Sequence, residues 1–334
     1  MRAILLSSIV LLTFSALLPA QRGRRESRAP KEMKNFTFED ERFESKSVGK
    51  KMPYGIYLPK GYDDKANAEK TLPLIIWLHG MWEDHMRFHS RGGAIELDKA
   101  VTEGTLPPCI FVTANGGRSS MYVNRDDEKW EDLISKDLLD HISANYRVSK
   151  DRNQRAIMGI SMGGMGALRI AFNNPALFGA VGAHSSAVFA EDPKNLPPNL
   201  KKYATRLGLD EVFGNPIKKE PWEQANPVCI ASKCPLNDLN MLRIYFDAGS
   251  ADRYGFADGN KLLHECLEKR KVKHTWRLID GGGHSWGNRF QLETLPHSFA
   301  FVGKMFKKAA AGPKTGGPKS GDQKKSDKGE KAPK

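Results

Sequence analysis

Through most of the chain, apolar residues fall in short continuous runs separated by amphipathic stretches. Residues 35–59 differ. They read as two antiparallel strands with a turn at 49–51. The runs at 72–78, 109–113, 154–159, 178–183, 241–247 and 274–279 read as buried strands. A strand covered on both faces lacks the alternation of a half-exposed one. Between these runs, residues 95–101, 130–146, 162–172, 256–270 and 292–307 carry apolar positions at helical spacing. In 130–146, for example, Leu133, Leu138, Ile142 and Tyr146 share roughly one face. Strand and helix alternating in this way imply an α/β fold, with a mostly parallel sheet and helices on both faces. Sites in such sheets form beyond the C-terminal ends of the strands.

Three stretches break the rhythm. At the N-terminus, Arg2 precedes an apolar run at 4–18, and Leu18-Pro19-Ala20 follows. This reads as a signal peptide cleaved after Ala20, which predicts a secreted or periplasmic protein. The competing reading is a membrane anchor, but the run is shorter than the ~20 apolar residues a span needs. Residues 189–239 are rich in Pro, Asn and Lys with weak helical pieces, and read as an insertion ahead of the strand at 241–247. Residues 307–334 are rich in Lys, Gly, Pro and Ser and are expected to be disordered, because they cannot bury enough apolar surface to offset chain entropy. One domain is expected over 35–306.

The net charge is +13. Its placement removes nucleic acid as an expected partner. Residues 307–334 hold nine Lys against Asp322, Asp327 and Glu330, and the basic segment 21–34 holds six basic residues against Glu26 and Glu32. The body between them is close to neutral and carries no basic stripe with interleaved aromatics. The tail suits loose contact with an anionic surface, or no task at all. Of the four cysteines, Cys229 and Cys234 are close enough in sequence to bridge in an exported protein, a pairing left open here. Cys109 and Cys266 read as small buried hydrophobes. His85 and His89 are spaced for one helical face, but without the Glu of H-E-x-x-H, so no metal site is assigned. No glycine-rich stretch has nucleotide-binding spacing, so no cofactor is expected.

Gly159-Ile160-Ser161-Met162-Gly163 places a serine between a predicted strand and a predicted helix. That is the G-x-S-x-G nucleophile elbow, in which a tight turn projects the hydroxyl and the residues two away must lack bulk. The helix N-terminus behind it favours a developing oxyanion. Such a serine needs a histidine as base and an acid to orient that histidine, in the chain order Ser, acid, His. After Ser161, only His284 follows a strand directly in a glycine-rich loop, 281–286. His264 and His297 lie in helical patterns, and His274 lies in a strand. For the acid, Asp252 in the loop 248–252 is preferred. Asp247 at the strand end is the alternative, and an N-cap role for Asp252 stays open. The expected oxyanion donors are the backbone N–H groups of Met81, after the strand that ends in Leu78-His79-Gly80, and of Met162. Trp82, Asn115, His184 and Trp286 are candidate pocket side chains by their place near strand ends.

These motifs, with 142–148 (Ile-Ser-Ala-Asn-Tyr-Arg-Val), resemble the esterase D-like family of α/β-hydrolases. That family includes feruloyl and acetylxylan esterases, S-formylglutathione hydrolases, siderophore esterases and mycolyltransferases. The resemblance covers roughly 50–306 and implies Ser161, Asp252 and His284 as nucleophile, acid and base. It implies a serine esterase acting on small-molecule or polysaccharide-linked esters, with feruloyl or acetyl esters of carbohydrates foremost. An acyltransferase with a sugar acceptor, a siderophore or short-chain esterase, and a non-catalytic binding module are the alternatives. The insertion at 189–239 looks longer than in compact feruloyl esterases and lies where this fold often carries a lid.

Overall fold

The computed structural model describes residues 29–196, 200–201, 204–205, 207–284 and 289–312. The expected leader, most of the basic segment and most of the Lys-rich tail lie outside these residues, as does Trp286. Eight strands form one sheet: β1 (Phe36–Ser45), β2 (Lys50–Pro59), β3 (Leu74–Leu78), β4 (Ile110–Ala114), β5 (Arg155–Ile160), β6 (Ala180–His184), β7 (Arg243–Gly249) and β8 (His274–Ile279). Their order is β1-β2-β4-β3-β5-β6-β7-β8. β1 and β2 pair antiparallel, as do β2 and β4, and every later pairing is parallel. This is the α/β architecture expected from the alternation of apolar runs and helical patterns.

Alternate residues of the central strands feed two cores. Leu74, Ile76 and Leu78 of β3 join one cluster with the helices around Ile142, Leu168 and Leu263. Ile75 and Trp77 join the other, with Leu97 and the C-terminal helix residues Phe299 and Val302. Both faces are therefore covered, which is why these strands read as unbroken apolar runs.

Several boundaries move for local reasons. The first hairpin turns at 46–49, where Gly49 takes a positive φ of 65°, and Lys50 already belongs to β2. The run at 72–78 enters the sheet only at Leu74. Pro73 offers no N–H for the ladder, and Leu72 instead bridges Val148. The helix expected at 130–146 is continuous to Asn145 but widens to a π-helical stretch at Leu133–Leu138. In its first turn, the buried Glu131 pairs with Arg169 at 2.6 Å, and Arg169 also donates to the Tyr122 carbonyl.

The irregular stretch before β7 folds into short helices at Leu209–Phe213, Lys219–Ala225, Pro227–Lys233 and Leu236–Asn240. Its apolar residues join the first of the two cores, where Trp222 packs against Phe189 and Phe213. The pairing of Cys229 with Cys234 is not made. Both are free thiols, with Cys229 Sγ near the Glu191 carbonyl and Cys234 Sγ near that of Phe172.

Candidate active site

β5 ends at Ile160, and the helix Met162–Asn173 begins two residues later. Ser161 makes the corner with φ 58° and ψ −119°, a strained backbone for a residue with a Cβ. The flanking glycines are required by contact. A Cβ on Gly159 would stand 2.3 Å from the Gly163 carbonyl oxygen, and one on Gly163 would stand 2.2 Å from that of Leu78. The corner is held by the Ser161 N–H, which donates to the His184 carbonyl at 2.8 Å.

His284 arrives on the loop after β8. Its Nε2 lies 2.9 Å from Ser161 Oγ, and its Nδ1 lies 2.7 Å from Asp252 Oδ2. With Asp252 ionised, Nδ1 carries the proton and donates, which leaves Nε2 to accept the serine hydroxyl. The Asp252 carboxylate is shielded from solvent, and its Oδ1 accepts the Tyr254 N–H at 2.8 Å. Tyr254 and Phe256 meet the imidazole edge-on at centroid distances of 4.8 and 5.2 Å, which restrains the ring. Asp252 does not cap the next helix, whose N-cap is Gly255.

Asp247 lies elsewhere. Its Oδ2 accepts the Tyr245 hydroxyl at 2.9 Å and faces His184 Nδ1 at 2.9 Å. The sheet register explains this pairing. Ile160, His184 and Asp247 are side by side across β5, β6 and β7, so the His and Asp side chains leave the sheet on one face. His184 is buried and stacked on Trp77, so it is not the pocket side chain expected from its place in the sequence. Its contribution at Ser161 comes through its backbone carbonyl. Asn115 is also not a pocket group. Its Oδ1 accepts the Gly117 N–H and stabilises a turn.

A cavity of about 210 Å³ opens at Ser161 and His284. Met81, Trp82 and Met162 line it. Trp82 is 44% exposed, with a positive φ of 60°. Met162 is the first residue of its helix, where N–H groups have no intrahelical partner. His79 holds the loop before Met81. Its Nδ1 donates to the Gly80 carbonyl at 2.7 Å, and its Nε2 accepts the Gly116 N–H at 3.0 Å. Complete burial lowers the His79 pKa, so the ring stays neutral as those bonds require.

The rest of the lining was not predicted from sequence. Phe189, Leu207 and Leu209 come from the insertion, Met121 from the loop after β4, and Phe256 from the helix after β7. Arg87, Arg91 and Arg253 lie on the wall with one acid, Glu83. Glu83 accepts from Arg87 at 2.8 Å and from the Gly80 N–H at 3.0 Å. The i,i+4 spacing of Glu83 and Arg87 was visible in the sequence, but nothing local placed the pair beside Ser161. His85 and His89 do not converge on a metal. His85 bonds Asp40, while His89 bonds Tyr57 and stacks on Phe38.

The family model Esterase, described as "Putative esterase", matches residues 45–300. This chain belongs to the Esterase family. An esterase of Mycobacterium tuberculosis is 27% identical over 274 residues, covering 75% of this chain and 57% of that protein. The family member described here thus spans little more than half of that relative. An endo-1,4-beta-xylanase/feruloyl esterase of Xylanibacter ruminicola is 28% identical over 162 residues, 46% of this chain and 22% of that one. Among solved structures, a ferulic acid esterase superposes with a TM-score of 0.67 at 26% identity, covering 81% of this chain and 99% of that one.

Proposed function

We propose that this chain is a serine carboxylic ester hydrolase in which Ser161 forms an acyl-enzyme. The observation that carries the reading is the hydrogen-bonded series Ser161–His284–Asp252 at the mouth of the cavity. Ser161 Oγ attacks the ester carbonyl while His284 Nε2 takes its proton. Asp252 keeps the proton on Nδ1 and stabilises the imidazolium. The N–H groups of Met81 and Met162 receive the oxyanion of the tetrahedral intermediate. His284 then protonates the leaving alcohol. In the second half, it activates water to release the acid and restore Ser161.

The mostly apolar cavity fits an acyl group of modest size, and relatives named feruloyl or ferulic acid esterase support an aromatic acid esterified to a carbohydrate. The segment around Leu207 and Leu209 covers part of the cavity and would act as a lid. Export rests on the leader-like residues 1–20. Among the described residues, no helix is long and apolar enough to cross a membrane.

Labelling with a fluorophosphonate, followed by kinetics on feruloyl-sugar, acetyl-sugar and short-chain aliphatic esters, tests the proposal. One label on Ser161 and turnover of feruloyl esters above the others is expected. No label and no turnover of any ester would sink it. Product analysis with an added sugar acceptor separates hydrolysis from acyl transfer.

A further inference from the structure

The last crossover of the sheet gathers three ligating side chains away from Ser161. His264 and Glu268 lie four residues apart on the helix Phe256–Lys269, and so share a face. The chain turns at 270–273, and His274 opens β8 beside them. His264 Nδ1 stands 2.8 Å from His274 Nε2, and Glu268 Oε1 stands 3.8 Å from the same nitrogen. All three ligand atoms lie within 4.8 Å of one another. We propose that His264, Glu268 and His274 form a binding site for a divalent transition metal, with Zn²⁺ the best match to two imidazoles and a carboxylate.

The tautomer of His274 favours this. Its Nδ1–H donates to the Val272 carbonyl at 2.8 Å, so Nε2 carries the lone pair and faces the other two ligands. A backbone carbonyl on the far nitrogen is a typical partner of a metal-bound imidazole. Both rings are held in place. The His274 side chain is 1% exposed and stacks on Phe246 at 5.7 Å, while His264 stacks on Trp276 at 6.2 Å. The two imidazole centroids are 5.1 Å apart. Two imidazoles bound at tetrahedral angles with bonds of about 2.05 Å would stand about 5.2 Å apart, so small tilts suffice to admit the ion.

Without metal, His264 Nδ1–H donates to His274 Nε2. On binding, the ion takes the place of that proton, which moves to His264 Nε2, and no proton leaves the pair. Glu268, 66% exposed, swings in as the third ligand, and water fills the fourth position. The ion would clamp the helix to the edge strand whose far end delivers His284. Its role is structural. The site lies at the N-terminal end of β8, opposite the active-site end of the sheet.

The test uses the untagged full chain, stripped with a chelator and titrated with Co²⁺ and then Zn²⁺. One equivalent of Co²⁺ with the visible absorption of a low-coordinate nitrogen–oxygen site, displaced by Zn²⁺, is expected. Zn²⁺ at a hundred times Kd should raise Tm by about 5–10 °C. His264→Gln should abolish binding. Glu268→Gln, at an exposed position that keeps the fold, should weaken it by at least the ~10-fold that loss of even an outer-shell partner costs. No saturable binding by wild type, or binding that Glu268→Gln leaves unchanged, overturns the site. Ester turnover in excess chelator should match the untreated enzyme at 25 °C, and its loss would contradict a purely structural ion.

Discussion

Asp252 Oδ2 accepts the His284 Nδ1 proton at 2.7 Å, while the competing carboxylate five residues earlier turns away to His184. Two acids on one strand-loop unit thus occupy different environments. Asp252 serves the histidine that touches Ser161, and Asp247 joins a buried network with Tyr245.

This separates the two residues kinetically. Asp252→Asn should lower kcat by about 10⁴-fold with the fold intact, since an amide no longer holds the required tautomer. Asp247→Asn should reduce stability by about 1–3 kcal/mol through disturbed buried hydrogen bonds, with kcat reduced far less. Steady-state kinetics beside urea denaturation of both variants checks this. The reverse pattern would move the acid to Asp247.

The elbow makes a steric prediction. Gly163→Ala places a methyl 2.2 Å from the Leu78 oxygen and 2.5 Å from that of His79. Backbone cannot yield there without shifting the loop to Met81. A loss on the order of 1–3 kcal/mol is expected from overpacking, with kcat falling as the loop moves. Thermal unfolding and single-turnover kinetics report the two effects separately.

Stability should fall on the acid side of neutrality. Burial lowers the pKa of His79 from the usual 6.5, and the same cause lowers His89, His141 and His297. Below pH 6.5 the unfolded chain therefore binds more protons than the folded one, and stability is lost as pH falls from 6.5 toward the folded values. The buried His79 contributes at most about 1.4 kcal/mol per pH unit in that window, and the three solvent-accessible histidines contribute less because water screens them. Denaturant titrations at pH 7.5 and 5.5 should show wild type weaker at 5.5, with a smaller drop in His79→Asn. Equal drops would remove His79 from the account.

The cavity wall carries three arginines against Glu83. Esters bearing a carboxylate near the reacting carbonyl should give higher kcat/KM than neutral counterparts at low ionic strength, and the advantage should shrink with salt. Arg253→Gln should reduce that preference by up to about fivefold, the range of an exposed pair. A salt-independent ratio would show that the arginines face away from bound substrate.

Strand-helix alternation and the elbow around Ser161 were legible in the sequence, because each rests on local periodicity or on residues within one turn, and the order Ser, acid, His was legible because chain order needs no distances. Hairpin and strand limits shifted by a few residues where single groups decide, as Pro73 does before β3. The sites built across strands were not legible. His184 and Asp247 meet because parallel register places them side by side, which is why a histidine near a strand end became a core group. Leu207 and Leu209 reach Ser161 only through the packing of the insertion around Trp222. His264 and His274 each looked like an ordinary surface or core histidine. The turn after the helix Phe256–Lys269 brings them within 2.8 Å. The sequence by itself determined the elements and the candidate nucleophile, since the spacing of side chains along one backbone decides both. The tertiary structure separated Asp252, already preferred from the sequence, from Asp247, and it alone decided what else lines the cavity and where a metal would sit, because those depend on distances between separate elements.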